Sequence, residues 1–161
     1  MKTFPDPAFF QRHPRVLLAL FLIAVVGTGV LIGVLSAPGP WYQALRKPPF
    51  NPPDWVFAPA WTVLYILIAL AGWRSFLRAP RSRVMGIWAG QMLLNWCWMP
   101  LFFGLHQIWA AFAVVVLLFV LIMTYIAANW KCDTTAALLF LPYAAWVAFA
   151  GLLNVSIALL N

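Results

Sequence analysis

The chain has 161 residues, 65% of them hydrophobic and only 8% charged, with three acidic residues in all and a net charge of +7. So few charged groups cannot cover the surface of a water-soluble domain of this size, which excludes an ordinary globular fold and leaves the bilayer as solvent. The positive balance fits membrane topology and contact with anionic lipid, and nothing in its pattern points to nucleic acid.

Residues 1–15 contain Pro5, Pro7 and Pro14 and are expected to form an irregular N-terminal tail. Five apolar runs follow, at about 16–36, 55–73, 84–103, 108–130 and 136–160, each long enough for a helix to cross roughly 30 Å of hydrocarbon. The runs are continuous, not alternating, which argues against a barrel. The first follows Arg12 and Arg15 as a secretion signal would, but it is too long for an h-region and Pro38 would follow the cut, so it is read as a permanent span. The expected architecture is all-α: one domain over 16–161, an integral membrane bundle of five transmembrane helices, with a Pro-rich lid loop at about 37–54 between helices 1 and 2.

That loop carries Pro48, Pro49, Pro52 and Pro53 among Trp41, Trp55 and Trp61. Proline breaks both helix and ladder, and each one also restrains the residue before it, so a stiff, extended, aromatic connection is expected. Eight of the ten Lys and Arg fall in the tail and the second and fourth connections, whereas Arg46 and Lys47 alone lie in the Pro-rich loop. Positive charge stays cytoplasmic, which predicts an N-terminus inside and the Pro-rich loop outside.

Asp6, Asp54 and Asp133 all fall outside the runs, so no span carries the carboxylate that proton-driven transport usually needs. No pair of carboxylates and no Ser–His–Asp set can be drawn, which disfavours acid–base catalysis. Cys97 and Cys132 are too few for a metal site or a disulfide framework, and His13 and His106 sit at span ends. Neutral amides remain. Gln91 and Asn95 share a face of the third helix with Trp98; Trp146, Ala150 and Asn154 recur every four residues on the fifth, and Trp61 and Tyr65 on the second. An unbonded amide in hydrocarbon is costly, so Asn95 and Asn154 are expected to point inward, either as interhelical glue or as the polar end of an aromatic-walled pocket under the lid. Gly29–Gly33 and Gly86–Gly90 have the spacing that lets helix backbones approach closely. Several other tryptophans, including Trp41, Trp55, Trp73, Trp109 and Trp130, lie where an interfacial belt is expected.

Trp41-Tyr42, Lys47-Pro48, Asn51-Pro52-Pro53, Trp55-Val56 and Trp61 resemble the first loop and second helix of the translocator protein family, also called tryptophan-rich sensory protein, TspO or peripheral benzodiazepine receptor. Gly90-Gln91, Leu94-Asn95-Trp96, Trp98, Pro100 and Phe102-Phe103-Gly104 resemble its third helix; Pro142-Tyr143, Trp146, Phe149-Ala150 and Leu153-Asn154 resemble its fifth. The resemblance implies a bacterial-type five-helix membrane protein that binds protoporphyrin-type tetrapyrroles and related hydrophobic ligands, lipid or sterol among them. It implies a ligand site of Phe50, Pro52, Trp61, Tyr65, Asn95, Trp98, Trp146, Ala150 and Asn154, with porphyrin as ligand, no required cofactor and no metal. It further implies a homodimer through Gly86 and Gly90 and a bacterial inner membrane, an outer membrane staying open. Two departures stand out: Phe50 occupies a position that is often Trp, and the C-terminal cholesterol motif of animal members is missing after Asn154, although Leu121, Tyr125 and Lys131 fit a loose sterol pattern. Three functions stay open: a sensor, regulator or carrier in porphyrin metabolism and stress response, a light- and oxygen-dependent porphyrin-degrading enzyme using Trp61 and Trp146 as its candidate catalytic residues, or a scaffold holding lipid.

Overall fold

The computed structural model describes residues 12–161. The expected tail lies outside the described residues as far as residue 11, and from Pro14 the chain is already helical. Helix α1, Pro14–Leu35, starts with proline in its first turn, where the missing N–H has no partner to lose. It widens into a π turn at Ile23–Gly27 and ends before Pro38. The Pro-rich loop is not wholly irregular. Gly39 and Pro40 start a short helix α2, Pro40–Ala44, and regular structure then stops until a 3-10 turn at Asp54–Val56.

Helix α3, Phe57–Arg78, follows directly, and α4, Arg83–Met99, is capped by Ser82, whose hydroxyl accepts from the Met85 N–H at 3.2 Å. Pro100 cannot donate to the α4 ladder and opens a second π turn, Pro100–Gly104. Helices α5, Ile108–Asn129, and α6, Thr134–Leu160, complete the chain. Four of these elements, Pro14–Leu35, Asp54–Arg78, Ile108–Asn129 and Thr134–Leu160, are long and apolar enough to cross a membrane. Helix α4 has 17 residues and two buried amides, Gln91 and Asn95, and only its π continuation brings it toward that length. No strand is present among the described residues.

Helix α5 packs between α4 and α6, α6 closes on α3, and α1 lies along α3. The core runs through Ile68, Ala71, Ile122, Tyr125, Phe140 and Tyr143, all fully buried, while Ile23, Leu93, Leu117, Val120 and Leu152 face outward. Outward apolar side chains are what hydrocarbon surroundings permit. At the end of the bundle away from the Pro-rich loop, Arg74 grips Asp133 with both Nε and a terminal nitrogen, at 3.2 and 2.9 Å, and Arg78 donates to the Cys132 carbonyl. Asp133 also caps α6 by accepting from Ala136 N–H at 3.1 Å. Partial burial acts to raise the Asp133 pKa, but the Arg74 and Ala136 bonds and the charges of Arg74 and Arg78 outweigh it and hold the carboxyl below its usual range.

Candidate functional site

Toward the loop end the helices part around an apolar cavity of about 420 Å³. Its α3 wall is Phe57, Ala58, Trp61, Thr62 and Tyr65, which recur every three to four residues and so share one face. Trp98, Phe102 and Phe103 form the α4 wall, and Ala150, Leu153, Asn154 and Ile157 the α6 wall. The rings touch one another: Trp61 lies 5.4 Å from Tyr65 and 6.5 Å from Trp98, which in turn lies 5.8 Å from Phe102. Flat, weakly polar surfaces of this kind suit a large planar apolar ligand.

The amides behind these rings are engaged by the protein itself. Trp98 Nε1 donates to Asn154 Oδ1 at 3.1 Å, and Asn154 Nδ2 donates to the Ile108 carbonyl at 2.9 Å. Asn154 therefore fixes the tilt of Trp98 and has its amide hydrogen-bonded on both sides. A second chain runs across three helices: Tyr65 Oη donates to Asn95 Oδ1 (3.0 Å), Asn95 Nδ2 to Tyr143 Oη (2.9 Å), and Tyr143 Oη to Gln91 Oε1 (2.9 Å). Gln91 is fully buried and its Nε2 has no partner. Asn95 lies behind the cavity wall, reaching it through Tyr65. Both amides thus do the work of interhelical glue, and they also hold cavity aromatics in place.

Of the residues expected in one pocket, the structure brings together Trp61, Tyr65, Trp98, Ala150 and Asn154 around the cavity, with Asn95 one bond behind. Phe50 and Pro52 do not line it; Phe50 is exposed at the loop surface. Trp146 is turned away, into an open groove of about 730 Å³ between α3 and α6 that includes Trp55, Pro59, Pro142 and Phe149. Its ring meets Phe57 at 6.0 Å, and its Nε1 is buried without a partner. Helix α1 supplies a wall that sequence reasoning missed: Val26, Gly29, Val30, Gly33 and Val34. The signal was present in the Gly29–Gly33 spacing, which marks a face of α1 free of bulky side chains.

Pro38, Tyr42, Asn51 and Asp54 of the loop also line the cavity, and the loop is tied down by several contacts. Tyr42 lines the cavity and packs its ring on Phe102 and Phe103, at 6.2 and 5.2 Å, while Lys47 Nζ lies 4.2 Å above that ring. Burial, and after it the nearby Asp54 carboxylate, push the Tyr42 pKa up, against a smaller lowering by Asn51, so its hydroxyl stays neutral. Gln43 donates to Asp54 at 3.2 Å, joining α2 to the start of α3. Trp41 stacks on His106 at 4.0 Å, and His106 has the one positive φ among the described non-glycine residues, 56°. At the surface, Asn161 pairs with the Arg46 backbone both ways, accepting from its N–H at 3.0 Å and donating to its carbonyl at 3.1 Å.

Residues 16–160 match the model of the TspO/MBR family. The chain is 38% identical to the protein CrtK of Rhodobacter capsulatus, over 90% of this chain and 92% of that one. It is also 38% identical to the tryptophan-rich sensory protein of Cereibacter sphaeroides, over 89% and 92% of the two chains, and 39% identical to the translocator protein of Bos taurus, over 71% and 70%.

Proposed function

Because the chain belongs to the TspO/MBR family and is an integral membrane protein, we propose that it binds planar hydrophobic ligands of the protoporphyrin class in the cavity beneath the Pro-rich loop. The observation that carries this reading is the cavity wall itself, in which Trp61, Tyr65, Trp98 and Phe102 present adjoining aromatic surfaces. Trp98 Nε1 and the Tyr65 hydroxyl are hydrogen-bonded to Asn154 and Asn95, so binding rests on stacking and apolar area. In this reading α4 with its π turn is a fifth span, the N-terminus is cytoplasmic, which the charge distribution supports, and Pro40–Ala44 with the following prolines is the lid. Pairing of two copies through the α4 face bearing Gly86 and Gly90 belongs to the same proposal; a Cβ on Gly86 would meet open space, whereas one on Gly90 would touch Leu121 of α5 at 3.4 Å.

Sensing, regulation or carriage of such a ligand is the function proposed, in keeping with relatives named as sensory and translocator proteins. The test is a titration of the purified protein with protoporphyrin IX, followed by quenching of tryptophan fluorescence. Trp61→Leu is expected to weaken binding about tenfold, the loss of one stacking face. Trp146→Leu separates the two concavities: a larger effect there than at Trp61 moves the ligand to the outer groove. Equal affinity in both variants and wild type defeats the reading. A photo-oxidative activity would use Trp61 or Trp146 as electron donor, and identical light-driven products at the same rate from wild type, Trp61→Phe and Trp146→Phe, all saturated, dismiss it.

A further inference from the structure

Helix α1 meets α3 across a missing side chain. Gly29 is buried in the cavity wall, and a Cβ built on it would overlap the ring of Tyr65. That ring therefore rests directly on the α1 backbone. Trp61 lies against it at 5.4 Å with a 30° tilt, and its hydroxyl is bonded to Asn95. Held at those three points, Tyr65 has one direction in which to yield, toward the cavity that it lines. Gly33 lies one turn along α1 on the same wall, yet a Cβ there meets nothing within 4 Å. The two glycines differ in consequence although they look alike in sequence.

We propose that Gly29 is a specificity-determining position of the cavity: by admitting the Tyr65 ring it sets the depth available to a ligand and favours broad planar molecules over narrow ones. A methyl group at Gly29 drives the ring inward or pulls its hydroxyl off Asn95, and either change makes the cavity shallower. A methyl at Gly33 does neither. The proposal rests on the reading that this cavity binds planar hydrophobic ligands.

The test uses the full chain in lipid nanodiscs and has two arms. The first needs no ligand: thermal unfolding of wild type, Gly29→Ala, Tyr65→Leu and the double variant. Gly29→Ala is expected to lower the midpoint, and to do nothing further once Tyr65 is Leu, because the overlap has gone. The second arm titrates protoporphyrin IX and a two-ring naphthalene probe. Gly29→Ala is expected to weaken the porphyrin about tenfold, as one methyl group can in an apolar pocket, and to leave the naphthalene affinity unchanged. In the Tyr65→Leu background it is expected to change neither, and Gly33→Ala is the control that leaves both near wild type. Equal losses for both ligands, or the same loss in both Tyr65 backgrounds, overturn the proposal. A wild type that binds neither probe overturns the binding reading and the specificity role with it, whatever the melting arm shows.

Discussion

Helix α3 uses one device twice, once toward each end, with opposite results. Away from the loop, Gly72 admits the indole of Trp88, whose Nε1 donates to the Ile68 carbonyl at 3.0 Å; toward the loop, Gly29 of α1 admits Tyr65 of α3. Around Gly72 everything nearby is filled: Tyr125 stacks on Phe140 at 4.0 Å, its hydroxyl donates to the Ala71 carbonyl at 3.0 Å, and Ser75 Oγ lies 2.6 Å from that hydroxyl. Around Gly29 the neighbouring residues are spread apart and the space between them is the cavity. The two ends show how one sequence combines rigidity with a void. Close approach at a glycine gives a packed seam where a third helix fills the gap, and a pocket where none does.

Breaking the filled end is expected to have the largest effect on stability. Gly72→Ala pushes against an indole that is bonded to the backbone of its own neighbour helix, and is expected to cost about 2–3 kcal/mol, read as a fall in the thermal midpoint. Gly86→Ala, with open space at its Cβ within one copy, is expected to leave the stability of the single copy unchanged or slightly raised. Tyr125→Phe comes next: it leaves the buried Ser75 hydroxyl without its side-chain partner, removes the second bond to the Ala71 carbonyl, and is expected to cost about 1–2 kcal/mol. Trp98→Phe sharpens the contrast from the hollow end, because it frees Asn154 Oδ1 and removes part of the cavity wall. A stability loss under about 1 kcal/mol with a fall in porphyrin affinity of about tenfold is expected there.

A further effect, seen only in acid, concerns pH. The Asp133 carboxyl is held below its unfolded value, so its pairing with Arg74 stabilises the fold above that value and is lost as pH falls through the folded one. Midpoints are expected to stay level from neutral pH to about pH 5 and to drop below about pH 4. Asp133→Asn is expected to remove that acid limb at a cost of about 1 kcal/mol at neutral pH, since Arg74 is partly open to solvent.

Sequence patterning located every long helix within a few residues, because apolar length is the dominant signal in a bilayer protein. It also placed the break in regular structure at the doubled prolines. The helix Pro40–Ala44 escaped it although Gly39 and Pro40 are a start signal, since the prolines further on dominated the reading. The aromatic faces were legible in α3, where Trp61 and Tyr65 are one turn apart and both line the cavity. In α6 the same reasoning failed for Trp146. Steps of four residues overshoot the helical turn, so from Trp146 to Asn154 the stripe rotates by about 80° and crosses the seam with α3. The α1 wall stayed hidden for a different reason. Glycines advertise close packing, and only the three-dimensional arrangement tells which of them has a ring upon it and which has none.

The pairing of Asn161 with the Arg46 backbone joins positions 115 residues apart, and α6 supplies one wall of the cavity besides. Contacts of such long sequence separation form late, because the intervening chain must first be ordered. Chain synthesis adds a further delay, since Arg46 emerges long before Asn161 is made. The loop is thus a latecomer to its own structure: the prolines stiffen it at once, but its Asn161 anchor and one wall of the cavity arrive with α6. A folding intermediate lacking α6 keeps the stiffened loop but has neither that anchor nor the α6 wall.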